Sequence, residues 1–283
     1  MPKENVVILY GQMICPPQIY IDKEGTPVRA ALSLKVLRRP FLGEKNFNDK
    51  LYFDCPVIST KNEQLIADIS KLEEADMVEV KGVLSTKEVK KVSICPKCQA
   101  KVSRSGTSVY VTPIYISKRE PGVSPQKGLE LLKTRSEISN LTMIIGTLCR
   151  DPEYRESENG GRFAQYQIAI NRKYRIREDD PTKKTDYPYV KTFGEQALKD
   201  SRGLVTGSIV YISGGIQTRS ISRKEICENC QEEYVWEERV AEIVPYSTEY
   251  LANCVLSEEE ETHAAKEEVT NKSETFRKGK DLE

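Results

Sequence analysis

Histidine is almost absent from this sequence, since His263 is the only one among 283 residues. A Ser-His-Asp triad needs a histidine inside a folded domain, and a histidine-based metal site needs several. The phosphate-binding pattern G-x-x-x-x-G-K-S/T is also missing, which removes the usual loop for ATP. These absences favour a binding protein over an enzyme.

Long apolar runs are missing as well. No stretch approaches the eighteen or so apolar residues of a membrane span, and the first ten residues do not lead from a basic segment into an apolar run. We therefore expect no membrane partner and a cytoplasmic location. In that compartment the eight cysteines are expected to be reduced or metal-bound rather than disulfide-paired.

The chain has no net charge, because Lys+Arg and Asp+Glu both number 43. The charges are unevenly distributed, however. From Ser257 onward there are nine acidic and five basic residues, which leaves the preceding body at +4. A mildly basic body with an acidic tail is typical of proteins that bind polyanions.

The sequence repeats itself with an offset of 132 to 135 residues. In both copies an apolar strand ends in glycine and is followed by cysteine, and a CxxC motif comes late. The matching landmarks are Gly11 and Gly146, Cys15 and Cys149, Gly82 and Gly215, Cys95-x-x-Cys98 and Cys227-x-x-Cys230. Because unrelated segments do not keep one offset through four features, we infer a duplicated domain.

Each copy has short alternating runs separated by Gly, Pro, Asn and Asp, with one helical stretch in the middle. The helices are expected near Asn62 to Glu74 and Glu195 to Ser201. Strands, a helix and more strands predict a small five-stranded barrel. The predicted fold class is all-β, with two tandem OB-folds and a disordered C-terminal tail. The expected boundaries are 1–118 for the first domain, 119–137 for a linker, 138–255 for the second domain and 256–283 for the charged tail.

The second copy resembles the bacterial single-stranded DNA-binding protein family over about a hundred residues. The matching blocks follow the family's order and spacing: Asn140-Leu141, Ile145-Gly146, Asp151-Pro152, Tyr166 to Arg172, Asp186-Tyr187, Phe193-Gly194 and Val210 to Arg219. The first copy keeps the layout but few of these residues. The resemblance implies OB-folds that bind single-stranded DNA.

The segment around Tyr187 has a pattern that fits this function. Strand alternation places Tyr187, Tyr189, Lys191 and Phe193 on one face, with Val190 on the other. Exposed aromatic rings can stack on unpaired bases, and the lysine can meet phosphates. The alternative is that these aromatic residues belong to the core, as we expect for Tyr166 between Ile168 and Ile170.

Further DNA-binding residues are predicted in both copies. The second copy offers basic and polar residues beside the aromatic face, and the resemblance adds Tyr174 as a loop aromatic: Arg172, Tyr174, Arg175, Arg177, Gln217 and Arg219. The expected counterparts in the first copy are Lys35, Arg38, Arg39, Phe41, Tyr52 and Phe53. The sequence alone does not fix the register of Tyr52 against Tyr187.

The CxxC pairs, Cys95 with Cys98 and Cys227 with Cys230, are each half of a tetrahedral zinc site. A shared structural zinc ion with four cysteine ligands, within one chain or across a dimer, is one interpretation. Separate redox-active or metal-scavenging pairs and unligated thiols in mobile loops are the alternatives. Cys15, Cys55, Cys149 and Cys254 are expected to be small buried hydrophobic residues.

The sequence therefore predicts a non-enzymatic protein that binds single-stranded DNA with little sequence preference during replication, recombination or transfer of DNA. Members of the family it resembles usually present four barrels, so two barrels per chain predict a homodimer. Replication or recombination proteins are possible further partners. The alternatives are an OB-fold scaffold protein of a replication or conjugation complex and an RNA-binding OB protein. The tail ends Asp281-Leu-Glu283 instead of in the family's apolar tip, which puts docking of partner enzymes in doubt.

Overall fold

The computed structural model describes residues 3–39, 51–172 and 185–255. In the first copy of the repeat the elements are β1 (Asn5–Met13), β2 (Gln18–Ile21), β3 (Pro27–Leu37), β4 (Phe53–Asp54), β5 (Val57–Thr60), α1 (Glu63–Ile69), β6 (Met77–Ile94) and β7 (Lys101–Glu120). Two helices follow, α2 (Pro125–Thr134) and α3 (Ser136–Ser139). The second copy comprises β8 (Asn140–Leu148), β9 (Glu153–Glu156), β10 (Arg162–Asn171), β11 (Thr185–Asp186), β12 (Tyr189–Phe193), α4 (Gly194–Gly203), β13 (Ile209–Ile226) and β14 (Glu233–Ala252).

Each copy closes into a five-stranded barrel. In the first, β1 pairs with β3 and β6, β3 pairs with β5, β6 pairs with β7, and β5 meets β7 in parallel. In the second, β8, β10, β12, β13 and β14 repeat the same pairings. Two tandem OB-type barrels with one short internal helix each are therefore confirmed.

Strict alternation of side chains builds the barrel cores. In β8 every second residue is buried, and β10 follows the same pattern from Ala164 to Ile170. Since successive residues of a strand face opposite sides, these runs direct one apolar set inward. Tyr166 is 1% exposed, so the expectation that it belongs to the core is confirmed.

The two barrels join edge to edge. β1 pairs antiparallel with β8, from Asn5 opposite Ile144 to Leu9 opposite Asn140, and this makes one continuous sheet. In each barrel a buried asparagine connects the first strand to the long strand that follows the helix, which is β6 in the first barrel and β13 in the second. The side chain of Asn5 exchanges two hydrogen bonds with the backbone of Leu84, and that of Asn140 does the same with Ile216. These bonds satisfy the buried backbone groups of Leu84 and Ile216.

The hairpins β6–β7 and β13–β14 extend beyond the barrels as two long arms. Each bends at a register shift beside a glycine, where Gly82 lies opposite Pro113 and Gly214 lies opposite Pro245. A Cβ at Gly214 would lie 2.6 Å from the carbonyl oxygen of Val244, so the bend requires glycine. The structural counterpart of Gly82 is therefore Gly214, and the sequence match to Gly215 was wrong by one residue.

The helices lie where the local sequence allows them. Asn62 caps α1 by accepting a hydrogen bond from the amide of Leu65, and Ser124 caps α2 in the same way from Lys127. The segment expected to be a linker thus contains α2. Just before this helix, the carbonyl oxygen of Val123 accepts a hydrogen bond of 2.7 Å from the Gln12 side chain on β1. Among the described residues, no helix is long and apolar enough to cross a membrane.

Candidate functional site

The predicted aromatic face exists on the second barrel. Tyr187 and Phe193 are 45% and 47% exposed, and Tyr189 and Lys191 are half-buried between them. Val190 and Thr192, which alternate with them along β12, are buried. The core alternative is therefore excluded for this face.

Lys191 lies between two aromatic rings. Its Nζ is 4.9 Å from the ring centre of Phe163 and 5.9 Å from that of Phe193. Burial lowers the pKa of this amine, with an opposing effect of Glu242. Within the part of the chain that the structure describes, no carboxylate forms an ion pair with it. A cation held against aromatic rings in this way is available to an incoming phosphate.

Sequence reasoning missed Phe163. It lies on β10 directly opposite Phe193, and Gln165 and Gln167 continue the same face opposite Lys191 and Tyr189. The signal was present in the alternation of β10, because Ala164, Tyr166 and Ile168 occupy the opposite, buried face. What the sequence did not reveal was the cross-strand register that brings the two phenylalanines together.

The other predicted residues of the second barrel have different surroundings. Arg172 is nearly buried and bonds bidentately to the buried Asp186, at 2.6 and 3.0 Å, so it stabilises the barrel instead of lying free at the surface. Arg219 is exposed but pairs with Glu242, and Gln217 is half-buried on the same strand. Tyr174, Arg175 and Arg177 lie outside the described residues.

The first barrel does not repeat the aromatic face. In the first barrel Leu32 of β3 lies opposite Ile58 of β5. In the second barrel Tyr166 of β10 lies opposite Val190 of β12, so Ile58 corresponds to Val190. Residues 55, 57, 59 and 61 therefore match 187, 189, 191 and 193. They are Cys55, Val57, Ser59 and Lys61. The counterpart of Phe163 is Arg29, whose Nε donates to the Ser59 hydroxyl at 2.9 Å.

The predicted cations and aromatic residues of the first barrel contact one another. Lys35 lies 4.3 Å from the ring centre of Phe53, and Arg38 lies 5.4 Å from that of the exposed Tyr52. The register that matches Cys55 to Tyr187 places Tyr52 three residues earlier in the chain. Tyr52 is therefore not the counterpart of Tyr187. Arg39 pairs with Glu137 at 2.9 Å. Phe41 lies outside the described residues.

Two buried aspartates connect each barrel to the arm of the other. Asp186 accepts hydrogen bonds from Arg172 of its own barrel and from the Thr86 amide, 2.7 Å away on the first barrel's arm. Asp54 mirrors this arrangement, since it accepts from Arg38 and from the Thr218 amide at 2.8 Å. The duplication is thus built into the contact between the domains.

The four CxxC cysteines meet in one cluster. Their sulfur atoms all lie within 4.8 Å of one another, and the shorter separations between the arms are 3.5 Å for Cys98 to Cys227 and 3.7 Å for Cys95 to Cys230. A tetrahedron with metal–sulfur bonds of about 2.3 Å has edges of about 3.8 Å. The separations therefore fit four thiolates around one ion and greatly exceed a disulfide bond.

The turns that carry these cysteines have the same geometry in both arms. The amide of Gln99 donates to the Cys95 carbonyl and that of Gln231 donates to the Cys227 carbonyl, at 3.0 and 2.8 Å. Both glutamines have a positive φ, of 58° and 56°. A hydrogen bond from the Asn229 side chain, helped by the Ala100 amide, lowers the pKa of Cys98 to about 6. The pKa of the neighbouring Cys230 is raised, because the backbone hydrogen bond from Glu232 is outweighed by burial and the adjacent thiols. A thiolate at Cys98 is the form that a metal ion requires.

The remaining cysteines differ from expectation. Cys15 and Cys149 are exposed, and Cys55 and Cys254 are half-buried. The expectation of burial was wrong for Cys15 and Cys149, because both follow the end of a strand and lie outside the alternating core positions. Cys254 is partly buried and packs against the core.

Residues 139–243 match the Single-strand binding protein family. A protein named Single-stranded DNA-binding protein 1 from Staphylococcus aureus (strain MSSA476) is 31% identical over 86 residues, which are 30% of this chain and 54% of that relative. Single-stranded DNA-binding protein 2 from S. aureus (strain COL) is 33% identical over 86 residues and 60% of its length. The chain thus spans little more than half the length of these relatives.

Solved structures resemble the chain over more of its length. The wild-type single-stranded DNA binding protein from Thermus aquaticus aligns with a TM-score of 0.55 over 91% of this chain and 97% of that one, at 15% identity. A deletion mutant of the same protein gives 0.55 over 90% and 98%, at 16% identity. At such identities the likeness establishes the fold, and it covers both barrels.

Proposed function

We propose that this chain binds single-stranded DNA with little sequence preference, because residues 139–243 match the single-strand binding protein family. The observation that carries the proposal is the exposed face of Tyr187, Tyr189, Lys191 and Phe193, extended by Phe163. Stacking of a base on an aromatic side chain contributes roughly 1–3 kcal/mol. Lys191 supplies the phosphate contact. Nothing in this arrangement requires catalysis, and we propose that the chain is not an enzyme.

We infer that the second barrel is the principal DNA-binding domain. The first barrel has Val57 and Ser59 where the second has Tyr189 and Lys191, so it lacks the stacking platform and has no cation at the position of Lys191. Its Arg38 is engaged with the buried Asp54. The first barrel would therefore contribute mainly through Lys35, Arg39, Tyr52 and Phe53 and through its arm.

Titration of fluorescein-labelled oligo(dT) at low and at high salt tests the proposed function. We expect binding that weakens steeply as salt rises, because phosphate contacts release counterions from the strand. The affinity for oligo(dT) should exceed that for duplex DNA and for oligo(rU) of the same length. Equal or tighter binding of the RNA would favour the RNA-binding alternative. If neither nucleic acid bound, the scaffold alternative would remain.

We propose that the cysteine cluster holds a structural zinc ion within one chain. Cys95 and Cys98 from one arm and Cys227 and Cys230 from the other are the ligands. Four thiolates in a tetrahedron are the donor set that zinc takes in closed structural sites. The ion would fasten the tips of the two arms together. Two separate redox-active pairs are disfavoured, because the close cross-arm separations put cysteines of different pairs together.

We propose further that two chains associate as a homodimer with four barrels. Since the β1 and β8 edges are consumed by pairing within the chain, the dimer must use another surface. Sedimentation at micromolar concentration is expected to give about twice the chain mass of 32.2 kDa. A monomer at that concentration would contradict this proposal and leave DNA binding untouched.

The biological setting follows from the same reasoning. We propose a role in replication, recombination or transfer of DNA in the bacterial cytoplasm, or in a phage or mobile element. Replication and recombination proteins would be the further partners. We propose 1–118 and 138–255 as the two domains on either side of the 119–137 linker, and the predicted charged tail at 256–283 lies outside the described residues.

A further inference from the structure

A groove of about 800 Å³ lies between the aromatic face and the arms. One side is the second barrel's face, with Phe163, Tyr189 and Lys191. The other side is the arm of the first barrel, at residues 104–107 of β7. β14 lies between them, because it pairs with β12 and also contacts β7. The aromatic face therefore continues into a channel that both barrels build.

The charge of the groove suits a polyanion. Its lining contains seven basic and five acidic residues. The two buried acids are engaged by cations, since Glu238 bonds to Lys91 and Arg223 and Glu225 pairs with Arg104. The Lys91–Glu238 and Arg104–Glu225 pairs cross from one arm to the other, and the Arg223–Glu238 pair lies within the second arm. Arg155 is exposed at the rim of the groove and adds a cation near Lys191.

Trp236 provides an additional ring inside the groove. It is half-buried, its indole Nε1–H donates to Glu225 at 3.3 Å, and its other side packs against the cysteine cluster. The ring thus lies beyond Phe163 and Tyr189 along the same lining. It belongs to the arm extension and not to the barrel face, so the aromatic pattern in the sequence did not point to it. It is also the only tryptophan in the chain.

We infer that single-stranded DNA bound to the second barrel passes through this groove. Trp236 is an additional stacking residue, and the first barrel's arm at Ser105 is the opposing wall. This inference rests on the proposed function. It assigns to the first barrel a role that its own face does not fulfil, because its arm completes the binding site of the second barrel.

Two measurements test the inference: the emission of Trp236 on addition of oligo(dT), and the affinity of two pairs of matched variants. Ser105→Glu places a negative charge on the exposed wall of the groove, and Ser117→Glu places the same charge on the same strand outside it. Trp236→Ala removes the ring, and Val235→Ala alters the exposed neighbour that does not line the groove. Labelled oligo(dT) measures affinity, and the metal content of each variant shows whether the cluster is intact.

We expect oligo(dT) to quench Trp236 emission in the wild-type chain. Trp236→Ala should weaken binding by at least about fivefold, as loss of one stacked base predicts. Ser105→Glu should weaken it by a similar factor at low salt, with Ser117→Glu and Val235→Ala at wild-type affinity. The inference would be overturned if the wild-type chain bound tightly without a change in Trp236 emission and both serine variants bound with equal affinity. The proposed function would then still stand. Failure of the wild-type chain to bind oligo(dT) would instead overturn the proposed function itself.

Discussion

Replacing Cys227 with serine is expected to reduce the bound zinc from about one ion per chain to essentially none, because a closed structural site needs all four thiolates. The barrels should remain folded, since their cores do not depend on the cluster. The arms should loosen at their tips, where the Ser93 and Tyr234 hydroxyls also meet at 2.8 Å. Elemental analysis gives the metal content, and the emission of Trp236, which packs on the cluster, reports the loosening.

The exposed cysteines supply the control for this experiment. Cys15→Ser and Cys149→Ser remove thiols that lie outside the cluster, so their zinc content should equal that of the wild-type chain. A chelator should lower the melting temperature of the wild-type and control chains, since loss of a ligand that binds only the folded state removes its stabilisation. Full zinc content in Cys227→Ser, or no zinc in the wild-type chain after incubation with the metal, would contradict the proposed site.

Asp186→Ala is expected to cost about 3–5 kcal/mol in the free energy of unfolding, the usual effect of removing one member of a buried ion pair. The substitution removes the buried carboxylate that pairs with Arg172 and accepts from the Thr86 amide. The loss therefore affects both the second barrel and its contact with the first barrel's arm. Denaturation in urea, followed by circular dichroism, measures the difference.

Asp68→Ala is the matched control, because Asp68 of α1 forms an exposed ion pair with Lys71, just beyond the end of the helix. Its removal should change stability by about 1 kcal/mol or less. Asp186→Asn, which keeps an acceptor for the Thr86 amide, should fall between the two. If Asp186→Ala were as stable as Asp68→Ala, the buried carboxylate would not hold the barrels together as described.

The sequence predicted the features that depend on periodicity. The constant repeat offset predicted two copies of one barrel. Strand alternation predicted which side of β12 carries Tyr189, Lys191 and Phe193. Matching CxxC motifs pointed to a shared cluster because each motif alone is half a site. These inferences use spacing along one chain, which folding preserves.

Features that depend on pairing between distant strands were not predicted. The position of Arg172 in the sequence is also typical of an exposed cation. Only the pairing of β11 with β10, which brings Asp186 next to Arg172, reveals that Arg172 is nearly buried. Phe163 was missed because its contact with Phe193 is set by register. The one-residue error between Gly214 and Gly215 has the same origin, since a bulge shifts the count on one strand only.

The affinity of Tyr187→Ala/Tyr189→Ala for oligo(dT) tests the central claim most directly. Loss of two stacking rings at roughly 1–3 kcal/mol each predicts binding weaker by about thirtyfold or more. The first-barrel equivalents, Cys55→Ala/Val57→Ala, should bind as the wild-type chain does. Wild-type affinity in the tyrosine variant, or an equal loss in both variants, would contradict a binding site centred on the second barrel's aromatic face.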